Sequence, residues 1–168
     1  MYLTSLSKPL SPALRIGYLA APPHLLSGLA STSRATTMMV SPIIAELAAQ
    51  LIASGDAADF AQRQMETANR RQSLAAEAGL PASRADPEGM HLWTSVAPHW
   101  RTQDFVAQAL QHAVSVSPGT VFAATADHDP LGVRVCLNAE PSEQRLTEAL
   151  GKLGRLLRGG EGAVRPFI

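Results

Sequence analysis

The chain has a single cysteine, Cys136, so no internal disulfide is available to it. A reducing, cytoplasmic setting fits, and the apolar run Gly132 to Leu137 around that cysteine predicts a buried thiol. An excess of either charge is also missing. Fourteen basic residues balance fourteen acidic ones, which leaves no global field to draw the chain to nucleic acid or to an anionic membrane. No apolar run is long enough to cross a bilayer, because the best one, Ile43 to Ala53, is short and broken by Glu46 and Gln50. The start lacks the basic cap, apolar run and small-residue cleavage site of a secretory signal. Histidines 24, 91, 99, 112 and 128 have no metal-ligand spacing, and with one cysteine a zinc site is not expected. Neither Ser5 nor Ser7 has a histidine and an acid at an interpretable spacing, so the sequence makes no case for a serine hydrolase.

What is present is enough for one ordinary domain or two small lobes in 168 residues. Met1 to Leu3 and Arg15 to Ala20 read as strands, with Pro9 and Pro12 forcing an irregular loop between them. His24 to Ala30 reads as a short helix leading into a polar stretch, Ser31 to Thr37. Ser41 as cap, Pro42 at the first position and a helical repeat of Ile43, Ile44, Leu47, Ala48, Leu51 and Ile52 up to Gly55 mark the clearest helix. A second, Ala57 to Ala78, should turn Phe60, Met65, Leu74 and Ala78 inward and Arg63, Arg70 and Arg71 outward. Beyond it, strands are expected at Gly89 to Val96, Val114 to Val116 and Gly132 to Leu137, and helices at Thr102 to Ala113 and Pro141 to Arg158. The alternation places Trp93 in packing rather than against a cofactor. Asp127-His128-Asp129-Pro130 reads as a solvated turn.

Chemistry concentrates near the start. Lys8, in Ser5-Leu6-Ser7-Lys8, falls on a loop at a strand end, with Arg15 shortly after. A lysine amine can hold an aldehyde cofactor as a Schiff base, and a hydroxyl and a guanidinium can hold its phosphate. By residue type alone, Lys8 is a solvated surface charge and Arg15 a partner for a carboxylate or a helix end. Arg134, on a strand in apolar surroundings, needs a partner, such as the acids Asp127 or Asp129.

The order of five segments resembles the C-terminal half of fold-type I pyridoxal phosphate-dependent aminotransferases, and most closely the aminotransferase-like domain of MocR regulators of the GntR family. They are Ser5-Leu6-Ser7-Lys8, Ser11 to Tyr18, Gly89-Met90-His91-Leu92-Trp93, Ser117-Pro118-Gly119 with Phe122, and Val133-Arg134-Val135. The resemblance implies an α/β fold with an α+β small lobe. Residues 1–55 would be the end of the large cofactor-binding domain, and 56–168 the small C-terminal domain. It implies Lys8 as the cofactor and catalytic lysine, Ser5 and Arg15 as phosphate ligands with Ser7 as a helper, and Arg134 as the grip on a substrate α-carboxylate. The implied cofactor is pyridoxal 5'-phosphate, and the reaction amino-group transfer between an α-amino acid and an α-keto acid. A homodimer is implied as well.

Thr4 and Pro9 depart from the glycine and threonine common at these positions in the family. Only seven residues precede Lys8, whereas the family draws the acid at the pyridine nitrogen and a ring-stacking aromatic from upstream sequence. A truncated form, weak or inactive alone and without direct DNA binding, is therefore expected. The alternative is a non-catalytic effector or oligomerisation domain of a MocR-type regulator.

Overall fold

The computed structural model describes residues 1–80, 89–125 and 130–159, in two compact units, Met1–Gln64 and Met65–Ile168. The first begins with an antiparallel hairpin, β1 (Tyr2–Ser5) and β2 (Gly17–Ala20), in the register Tyr2 to Ala20 through Ser5 to Gly17. A single 3-10 turn, Pro12–Leu14, lies in its loop.

Helix α1 (Pro23–Thr37) runs as one piece through the polar stretch where the sequence pattern stops at Ala30. Its second half is rich in serine and threonine, and the hydroxyls of its last two threonines bond back to the helix itself. Thr36 Oγ1 donates to the Thr32 carbonyl at 2.9 Å, and Thr37 Oγ1 donates to that of Ser33 at 2.8 Å. Helix α2 (Pro42–Ser54) starts and stops at the expected residues, with Gly55 taking the left-handed conformation (φ 90°) that ends it. Ser41 precedes the helix without a capping side-chain bond. The apolar face of α2 is mostly solvent-facing, with Ile43, Leu47 and Ile52 exposed and Ala48 buried.

Helix α3 (Asp56–Glu77) carries the boundary between the units. Phe60 and Met65, expected inward, are exposed, whereas Arg71, expected outward, is buried. Leu74 and Ala78 pack against the core as expected. The arginine is held in by two backbone carbonyls: Nη1 donates to Leu137 O at 2.7 Å and Nη2 to Pro141 O at 3.2 Å.

The second unit holds a three-stranded antiparallel sheet in the order β3 (His91–Ser95), β5 (Gly132–Cys136), β4 (Ser117–Pro118). Val114 and Val116 are buried, but they are not paired as the predicted strand: pairing starts at Ser117, just past its last residue. Helices α4 (Thr102–Gln111) and α5 (Glu143–Leu157) supply Phe105, Leu146, Leu150 and Leu153 to a core with Leu92, Val133, Val135 and Leu137 of the sheet. That core takes one face of β5. Period-2 alternation puts Arg134 and Cys136 on the other, so Cys136 is exposed, not buried as its apolar neighbours imply. No described helix is long and apolar enough to cross a membrane.

Candidate functional site

The β1–β2 hairpin gathers four of the five expected site residues on one loop. Its ladder continues past Ser5 with Leu6 N–H donating to Ile16 O at 3.2 Å, and the turn closes with Leu10 and Ser11 N–H both donating to Leu6 O. Lys8 stands exposed in the middle of that turn, between half-buried Ser7 and Pro9. Ser5, the last residue of β1, lies opposite Gly17, and Arg15 sits two residues before that partner on the returning strand.

Arg15 has φ 50° and ψ 33°, a left-handed conformation uncommon for a residue with a side chain. Its neighbours hold it there. The Ser11 hydroxyl accepts from Ala13 N–H and caps the 3-10 turn before Arg15, and Ile16, buried, fixes the chain just after it. Such a position costs of order 1–3 kcal/mol and concentrates at binding sites. Among the described residues, none bonds or pairs with the side chains of Ser5, Ser7, Lys8 or Arg15. An amine, two hydroxyls and a guanidinium with free donors can together hold a phosphate and an aldehyde.

Arg134 belongs to the second unit. On central strand β5 it is flanked by Trp93 of β3 and Ser117 of β4, so the three residues form one row across the sheet. Nη2 lies 3.4 Å from the Ser117 hydroxyl, and the guanidinium carbon lies 4.7 Å from the ring centre of Phe122. Nε is buried with no hydrogen-bond partner among the described residues. Asp127 and Asp129, named as acid partners for Arg134, lie outside the described residues.

Trp93 completes the cluster, with its ring edge-on to Phe122 at 6.1 Å between centroids. Packing is therefore its role, though on the face of the sheet away from the main core. Two glycines make room for the indole. A Cβ at Gly132 would come within 2.7 Å of the indole nitrogen, and one at Gly119 within 2.9 Å of the ring. Sequence reasoning did not join Phe122 to Arg134; the signal was Phe122 standing three residues beyond Gly119, in the short run that follows β4.

Among the described residues, no group of three or more acidic, histidine or cysteine side chains is placed to hold a metal ion.

Comparison with known proteins adds lineage. The profile of the aminotransferase class I and II family matches residues 1–153. An uncharacterized HTH-type transcriptional regulator of Bacillus subtilis (strain 168), YdeF, is 27% identical over 159 residues, which are 94% of this chain and 34% of that protein. A second regulator of the same organism, YdfD, is 24% identical over 129 residues, 73% of this chain and 27% of its own length. Both agree with the resemblance to the aminotransferase-like domain of MocR regulators. Among solved structures, the multiple substrate aminotransferase of Thermococcus profundus superposes with a TM-score of 0.81 at 23% identity, covering 94% of this chain and 40% of that one. The α-aminoadipate aminotransferase LysN of Thermus thermophilus gives 0.78 at 24%, covering 94% and 41%. The fold is thus a portion of the fold-type I aminotransferase fold. The chain spans about a third of the first curated relative and about two fifths of these enzymes. With the profile matched along nearly its whole length, the chain belongs to the aminotransferase class I and II family.

Proposed function

We propose that the chain is a pyridoxal 5'-phosphate-binding, aminotransferase-like module whose parent activity is amino-group transfer between an α-amino acid and an α-keto acid. The observation that carries the reading is the hairpin loop, where an exposed amine sits between donors that have no partner of their own. Residues 1–55 would be the end of the large domain and 56–168 the small domain.

The residues present fit the two ends of the cofactor. Lys8 is the group to bond the aldehyde, and the hydroxyls of Ser5 and Ser7 with the Arg15 guanidinium suit the phosphate, a dianion best met by a charged fork and short hydroxyl bonds. When bound, the cofactor supplies an electron sink for the carbanion that forms at the substrate α-carbon. The Lys8 amine, once released, is the group to move the α-proton. Arg134 orients the substrate by its carboxylate, a planar anion matched to a planar fork. Copies of the chain would pair as a homodimer, as in the family.

A second reading is favoured by the HTH-type regulators among the relatives. In it the module binds cofactor or amino acid as an effector signal and turns nothing over.

The first reading, and the second where its signal is the cofactor, require cofactor on Lys8. Incubation with pyridoxal phosphate followed by borohydride reduction should add one 5'-phosphopyridoxyl group to the peptide carrying Lys8, read by mass spectrometry. Lys8→Ala should remove it, and Arg15→Ala should weaken loading about ten-fold or more, the scale of one charge-assisted contact. A protein left unlabelled, or labelled equally in Lys8→Ala, would overturn the proposal. Loading with no amino-group transfer to any keto acid would select the effector reading.

A further inference from the structure

The guanidinium of Arg134 is held in an unusual way for a partly buried cation: no described acid pairs with it, and an aromatic face covers it instead. The Arg134 guanidinium carbon lies over the Phe122 ring, 4.7 Å from its centre, and Trp93 meets that ring edge-on. The Trp93 indole is in turn seated over Gly132 and Gly119, where any side chain would collide with it. Each layer fixes the next, from strand backbone to indole, from indole to phenyl ring, and from phenyl ring to cation.

A π face attracts a cation without neutralising its charge or using its N–H donors. An acid partner would do both, and would compete with any anionic ligand. With Phe122 beside the guanidinium and Nη2 only loosely engaged by Ser117 at 3.4 Å, the terminal Nη donors are not taken up by an acid among the described residues, while Nε is buried without a hydrogen-bond partner among them.

We propose that Phe122 is a positioning residue for carboxylate ligands: its ring, braced by Trp93, holds the Arg134 guanidinium in a fixed plane while leaving its N–H edge charged and open. The inference rests on the reading of Arg134 as a carboxylate grip and goes beyond it in naming what aims the grip. Phe122 is about half exposed, at 47%, so its contribution belongs to the lower range for such contacts, about three- to five-fold in affinity. The same exposure lets the ring be replaced without emptying a core site.

The test follows the Arg134 Nε–Hε signal by nitrogen-15 NMR of the full chain during titration with L-alanine, and with L-alaninamide, which keeps the amine and lacks the carboxylate. L-Alanine should shift the signal and the amide should not. Phe122→Tyr should keep the affinity within about two-fold, whereas Phe122→Leu and Phe122→Met should weaken it about three- to five-fold. The methionine variant keeps bulk without the π face and so separates aromatic positioning from packing. Wild-type affinity in both Leu and Met variants, with Arg134→Lys inactive in binding, would overturn the role of Phe122 and leave the carboxylate grip standing. Wild-type affinity in the Met variant alone would reduce the ring to a spacer and also overturn it. No shift with L-alanine in the wild-type chain, or equal binding by Arg134→Lys, would overturn the grip and the positioning together.

Discussion

Three arginines show how far a side chain's neighbours, not its type, decide its work. Arg70 and Arg71 are adjacent on α3 and both were expected in solvent. Arg70 meets Glu143 in an exposed ion pair, with side chains 60% and 40% accessible. Arg71 is buried and donates to the carbonyls of Leu137 and Pro141, which end β5 and lead into α5. Removing an exposed pair rarely costs more than about 1 kcal/mol, whereas removing a buried charged donor strips carbonyls of their partners and costs about 2–3 kcal/mol. Urea denaturation should therefore show Arg71→Ala destabilised by about 2–3 kcal/mol and Arg70→Ala by less than about 1 kcal/mol. Equal midpoints for the two variants would contradict the assignment. Arg134, the third, was legible as a residue in need of a partner, because a charged group on a strand between valines stands out. That its neighbour would be the ring of Phe122 was not legible, since the two are distant in sequence and meet only through the pairing of β4 with β5. The lysine loop was easier to read. Lys8, Ser5 and Arg15 are near in sequence, and a hairpin brings such residues together with little help from the rest of the chain.

At the scale of elements, helices with strong period and clear stops were legible and those held by other means were not. α2 and α5 lie within two residues of the expected ends, because Pro42, Gly55 and the leucine spacing of α5 are local signals. The length of α1 was missed, as hydroxyl back-bonding leaves no apolar pattern to see. α5 also shows a constraint that propensity alone would hide. Gly154 lies in the last turn of the helix, and glycine within a helix ordinarily costs about 1 kcal/mol relative to alanine. Yet a Cβ there would stand 2.1 Å from the Ala78 carbonyl oxygen, a backbone atom that cannot swing aside. At Gly151, one turn earlier, the nearest atom is the flexible end of Arg155 at 3.6 Å. Gly151→Ala should thus raise stability by about 0.5–1 kcal/mol, and Gly154→Ala should lower it by about 1–3 kcal/mol despite the gain in propensity. Thermal unfolding followed by circular dichroism checks both. A stabilised Gly154→Ala would mean that α5 does not pack this closely on the end of α3.

Over the whole molecule, apolar residues are divided unequally between the two units. The main buried cluster runs from Ala75 to Leu157 and lies wholly in the second unit. In the first unit the buried apolar residues among those described are Ile16 and Ala48, while Tyr2, Leu3, Leu25, Leu26, Ile43 and Leu47 are exposed. Composition gave no warning of this, because the first unit is as rich in apolar residues as the second and α2 has the wide apolar face of a packed helix. Exposed apolar surface of this kind ordinarily marks a contact surface. Its energetic consequence is direct. A two-stranded hairpin is marginal on its own, and the helices beside it bury little, so local opening of the first unit should need far less free energy than opening of the second. The lysine loop, carried on that hairpin, should therefore be the more adaptable of the two candidate binding places, and the Arg134 row, on the central strand of the sheet, the more rigid. Amide hydrogen exchange of the intact chain tests this. Val133, Val135, Leu150 and Leu153 should exchange slowest, and Leu3, Thr4 and Tyr18 at least about a hundred-fold faster, the equivalent of about 3 kcal/mol in opening free energy. Addition of pyridoxal phosphate should slow exchange in the hairpin and leave β5 and α5 unchanged, because a ligand stabilises most the segment that opens most readily and that it holds closed. Uniform protection across both units in the absence of ligand would show that the hairpin draws its stability from more than its own few buried residues.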